Sequence, residues 1–144
     1  MENQDTIYLL KECDAGSKMA VSSIDDVLDH IHDNTMKALM EKSKRHHEKL
    51  GNDLHALLNE FNAEDKEPNP MAKSMSWLKT NMKLSMDDSD HTIADLMTDG
   101  CNMGVKSLNM YLNQYKAADE VSKDITKRLI NLEEKLVIDM RGFL

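Results

Sequence analysis

Apolar residues recur along this chain at alternating steps of three and four, the interval that holds side chains on one face of an α-helix. Ile7, Leu10, Asp14, Ser17, Val21, Ile24, Leu28 and Ile31 make a seam through residues 5–31. Met36, Met40, Ser43, His47, Leu50, Leu54, Leu57 and Phe61 make a second. A third runs from about Asp88 to Tyr115 through Ile93, Met97, Gly100, Gly104, Leu108 and Tyr111. A fourth, from about Asp119 to Arg141, carries Val121, Ile125, Leu129, Leu132, Leu136 and Met140, with Phe143 beyond it. Seams of this length predict four long helices that bury one stripe each.

Between the seams the chain carries helix stops and starts. Asp5 is the expected cap of the first helix, since its carboxylate can accept from free backbone N–H groups. His32-Asp33-Asn34-Thr35 reads as a tight turn in which Asp33 or Asn34 caps the second helix. So short a link predicts an antiparallel hairpin. Residues 62–70 are loop-like, and Asn69-Pro70 is a good helix start because proline at the first position loses no needed donor. A short apolar helix with Met71, Met75, Trp77, Leu78 and Met82 facing inward is expected next, ending near Ser85-Met86-Asp87-Asp88. The stretch 62–87 is long enough to run the length of a bundle, which would make the second and third long helices parallel. Gly100 and Gly104, one turn apart inside the third helix, each cost roughly 1 kcal/mol relative to Ala, so a packing reason is expected there.

Composition agrees with a single all-α domain over residues 1–144: 31% charged, 40% hydrophobic, five Gly and two Pro. Eighteen basic against 26 acidic residues give a net charge of −8, which argues against nucleic acid as a partner. The basic run Lys42–His47 reads as a solvated helix face. The first residues lack the basic and apolar regions of a signal peptide, and no apolar run approaches the ~18 residues of a membrane span. A soluble, cytoplasmic protein with no membrane partner is expected. Cys13 and Cys101, on helical segments, are expected to be reduced and packed.

With Met75-Ser76-Trp77-Leu78-Lys79 in the crossover, Asp87-Asp88-Ser89-Asp90-His91-Thr92-Ile93 opening the third helix and Asp99-Gly100-Cys101 within it, the chain resembles the ferritin-like superfamily. More narrowly it is similar to a bacterial family of small uncharacterised ferritin-like proteins with degenerate metal ligands. The resemblance implies a ferritin-like four-helix bundle with a long crossover containing a short extra helix between helices two and three. It also supplies a template for chemistry: a di-iron site takes a Glu from each of two helices and a Glu-x-x-His from each of the others. No Glu here has a His three residues on; Glu41 meets Lys44, Glu48 meets Gly51, Glu133 meets Leu136 and Glu134 meets Val137. The basis for ferroxidase or oxygenase activity is therefore missing, and no catalytic constellation replaces it: G-x-S-x-G, phosphate-binding glycine loops and H-E-x-x-H are all absent.

Folding the hairpins at about residues 32 and 116 brings Ser17 level with His47 and Asp99 level with Glu134. A mid-bundle polar layer of Asp14, His47, Asp99 and Glu134 follows, a degenerate site for one metal ion. The plainer alternative is a buried network in which His47 bonds Asp14 or Ser17, and one imidazole among acids is a poor ligand set. Asp29-x-x-His32 and Asp88-x-x-His91 lie at helix ends, where the dipole accounts for them. His46-His47 with His55 reads as solvated surface, and the spaced methionines as core or interface filling rather than copper ligands. The expectation is a non-catalytic bundle without a cofactor, associating as a homodimer or with a protein partner through the Met-rich crossover and Trp77; the alternative is metal binding or storage at the polar layer.

Overall fold

A computed structural model describes residues 3–63 and 77–144, and every described element is helical. The helices are α1 (Gln4–Leu28), α2 (Asn34–Glu60), α3 (Trp77–Ser85), α4 (Asp90–Gln114) and α5 (Glu120–Met140), with a 3-10 turn over Arg141–Phe143. The expected helix start at Pro70, with Met71 and Met75, lies outside the described residues.

Side-chain caps begin the long helices. Asp33, Ser89 and Asp119 accept from Met36, Thr92 and Ser122 backbone N–H groups. The first helix departs from expectation. Asn3, two residues before Asp5, accepts from the Thr6 N–H, and Asp5 instead accepts from the Ala117 N–H at 3.0 Å. Asn62 closes α2 with a left-handed φ of 53°, a conformation asparagine tolerates, while Ala63 N–H donates back to the Leu58 carbonyl.

The hydrogen bonds at the ends of the molecule fix the helix directions. At one end Asn3 Nδ2 donates to the Ala117 carbonyl and Asp119 N–H donates to Thr6 Oγ1 at 2.8 Å, so the start of α1 lies beside the α4–α5 turn. At the other, Asp90 accepts from the His32 and Asp33 N–H groups, both at 2.8 Å, so the α1–α2 turn lies beside the start of α4. α1 and α5 therefore run one way and α2 and α4 the other, so the chain leaves α2 at one end and enters α4 at the other. α1 packs on α2, α4 on α5, α2 on α5, and α1 also on α4 and α5; α3 lies against α1 and α4.

This placement makes the buried face of α1 wider than a single seam: Leu9, Cys13 and Val27 are buried as well as Ile7, Leu10 and Ile24. On α2 the last inward residue is Leu58, with Leu57 half-buried. On α5 Val121 turns outward at 57% exposure, and the inward series is Ser122, Ile125, Leu129, Glu133, Leu136 and Met140. The apolar core falls into two clusters, one around Ile24, Met40, Ile93 and Met140, the other around Leu10, Leu54, Ile125 and Leu129. Between them, at mid-height, lie buried Asp14, Ser17, Ser43, His47 and Glu133.

Candidate functional site

The mid-height layer holds two of the four residues assigned to it from sequence. Asp14 and His47 are buried, but Asp99 and Glu134 are exposed on the outer faces of α4 and α5. The reason is angular. Pairing hairpin residues fixes height along the axis, whereas each step along a helix turns the side chain by about 100°. The inward carboxylate is Glu133, and the inward residue of α4 near this height is Cys101. Both continue their seams at a spacing of four, Glu133 after Leu129 and Cys101 after Met97, a signal present in the sequence. Among the described residues no group of three or more His, Cys, Asp or Glu side chains is arranged to hold a metal ion, so the four-residue set does not form one site.

His47 is at the centre of what does form. Its Nδ1 lies 2.8 Å from the Ser43 carbonyl oxygen one turn earlier on α2. A carbonyl only accepts, so Nδ1 carries a proton. Nε2 points away from α2 and has no hydrogen-bond partner. Glu133 Oε1 is 3.6 Å from it, beyond hydrogen-bond length but close enough for an ion pair. Burial pushes the imidazole towards neutrality, yet the Glu133 carboxylate and the Ser43 carbonyl together outweigh it and hold the His47 pKa above the ordinary 6.5.

Asp14 stands on the α1 side, its Oδ2 3.1 Å from the Lys18 ammonium and its carbonyl accepting from Ser17 Oγ. Asp14, Ser17, Lys18 and His47 line a polar groove between α1 and α2. Both thiols are held towards the protonated form: burial pushes Cys13 up to about 12, and burial together with the Glu133 charge raises Cys101. Both cysteines are free.

On its other side the His47–Glu133 pair forms part of the wall of a cavity of about 270 Å³ between α1, α3 and α4, lined chiefly by apolar atoms. Leu78, Met97, Leu108 and Leu129 line its interior, and the half-exposed Met19, Trp77 and Met103 form its rim. Space comes from missing side chains. Gly16 on α1 and Gly100 and Gly104 on α4 all line it. A Cβ at Gly100 would meet the Trp77 ring at 3.7 Å, one at Gly104 the Glu133 carboxyl at 3.6 Å, and one at Gly16 Leu129 Cδ2 at 3.9 Å, all ordinary contact distances. The two α4 glycines do face bulky neighbours, but nothing approaches closely enough to exclude alanine. They leave room in the cavity rather than permit a tight crossing.

No described helix is long and apolar enough to cross a membrane. No protein-family profile matches the chain, and no curated protein does. Among solved structures it is similar to a crystal structure of a DUF305 fragment from Deinococcus radiodurans, with a TM-score of 0.73 at 12% identity, over 96% of this chain and 94% of that one. At that identity the likeness is one of fold alone: this chain has the helical architecture of the DUF305 fragment.

Proposed function

We propose that this chain is a non-catalytic, ferritin-like four-helix bundle whose work is to bind a small, largely apolar molecule between α1, α3 and α4. The parallel course of α2 and α4, the helix α3 that precedes α4 in the chain and the likeness to the DUF305 fragment support the fold assignment. The observation that carries the binding reading is the cavity itself: apolar walls, with one buried polar pair set among them. That combination, an apolar cleft with few convergent polar groups, is the ordinary make-up of a ligand pocket. Helix interiors disfavour glycine by about 0.5–1 kcal/mol per position relative to alanine, and three such positions meet in this cavity without a steric need.

The test is occupancy by an apolar probe. Indole titrated into isotope-labelled protein should shift the backbone amide signals of Gly16, Gly100 and Gly104 saturably, leaving the far face of α2 unmoved. Shifts spread over the surface without saturation, or none at these three amides, would remove the pocket from consideration.

A further inference from the structure

The charged side chains of the cavity wall decide which head group an occupant carries, an inference that rests on the binding reading just given. Glu12 and Glu133 line the cavity, and among the described residues no Lys or Arg does. Two carboxylates therefore face at most one positive charge, an imidazolium at His47, so the wall is net negative whichever form that ring takes.

Glu133 is the carboxylate set among the apolar walls. It is nine-tenths buried, yet 12% of its side chain remains exposed, so it can be reached. A Cβ built on Gly104 would stand 3.6 Å from Oε1 and 3.9 Å from Oε2, so both oxygens face the room that this glycine leaves open. Their protein partners are weak. His47 Nε2 lies 3.6 Å from Oε1, beyond hydrogen-bond length, and the Cys101 thiol is a poor donor. A carboxylate accepts at about four lone-pair positions, so most of that capacity is unused by the protein.

An apolar body filling the cavity would take the remaining water from these oxygens and return nothing, leaving a charge without a partner. A hydroxyl returns one donor. A carboxylate returns none and adds like charge. A primary ammonium returns N–H donors and the opposite charge, and beside apolar walls that attraction is stronger than in water. The chain's net charge of −8 also favours the approach of cations. Size follows from the volume: a dry cavity of about 150 Å³ accommodates benzene, so about 270 Å³ suits a body of roughly two fused rings.

We infer that the α1–α3–α4 cavity selects a small organic cation, a primary amine on an apolar ring body, with its ammonium in the space beside Gly104 against the Glu133 carboxylate and its rings against Met97, Leu108 and Leu129.

Four probes with one ring system separate the parts of this statement: naphthalene, 2-naphthylmethanol, 2-naphthoate and 2-naphthylmethylammonium, titrated at neutral pH and followed through the Gly100 and Gly104 amide signals. The expected result is that the ammonium binds at least ten-fold more tightly than the alcohol, the anion or naphthalene. In Glu133→Gln that preference should shrink to within two-fold while naphthalene binding persists, which also shows that the variant is folded. If the alcohol or the anion matches the ammonium in the unaltered protein, the cation assignment is overturned and the cavity stands as an apolar pocket. A preference that survives Glu133→Gln overturns it too, since the general negative charge of the chain would then account for it. If none of the four binds, the binding reading itself fails.

Discussion

Because Nδ1 of His47 donates to a carbonyl of its own helix, the charge of the ring is decided at Nε2, which looks at Glu133. The folded-state pKa lies above the ordinary value, burial opposing and the Glu133 carboxylate prevailing. Protonation therefore favours the folded chain. The contribution is fully present below the unfolded value of about 6.5 and is lost as pH rises through the higher folded value. Urea titrations from about pH 6 to pH 8 should show this component of stability falling, and Glu133→Gln should flatten it by removing the partner that raises the pKa. An unchanged slope in that variant would mean the ring is held protonated by something else. At this scale the sequence was half legible. Asp14 and His47 stand out as polar interruptions of apolar seams, and both are buried. Height along the axis points to Glu134, whereas the seam that Ile125, Leu129 and Leu136 define points to its neighbour Glu133, and the seam decides which carboxylate is buried.

Helix α4 shows how an element trades its own propensity for the space beside it. Gly100 and Gly104 sit in an uninterrupted helical stretch and adopt no backbone conformation that needs glycine. Replacing Gly104 by alanine should stabilise the protein by about 0.5–1 kcal/mol, since the added methyl meets Glu133 at an ordinary distance. The same methyl enters the cavity and should weaken probe binding several-fold. Thermal or urea denaturation beside a probe titration reads both; a destabilised Gly104→Ala would show that the approach is tighter than 3.6 Å implies. The seams predict the four long helices readily, and of the two cap candidates for α2, Asp33 and Asn34, it is Asp33 that caps it. The seam pattern did not reveal how much of α1 is buried. Periodicity reports a face, whereas burial depends on how many neighbours converge on it, and α1 meets α2, α3, α4 and α5.

The molecule as a whole is two antiparallel hairpins joined at both ends by side chains that accept from, or donate to, backbone groups of the opposite hairpin. Asp90 makes the strongest such tie, one carboxylate taking two N–H groups of the α1–α2 turn while also lying in the first turn of α4, where negative charge suits the helix dipole. Asp90→Ala should lower stability by on the order of 1–2 kcal/mol, the usual scale for hydrogen bonds to a charged group discounted for its partial exposure. The transition should stay cooperative, because the two apolar clusters continue through all four long helices. Denaturation followed by circular dichroism checks both points, and a split transition would show that the hairpins unfold separately. The parallel course of α2 and α4 was foreseeable from the length of the crossover. The cavity was not, since it arises from three glycines on two helices that lie far apart in sequence.

Trp77 is the sole indole in the chain, and its ring lies over Gly100 at the mouth of the cavity. An occupant would displace water from that ring, so the emission maximum and its quenching by iodide become an internal gauge of filling. The protein can thus report its own loading without a label, and its scarcity of tryptophan makes the signal free of background.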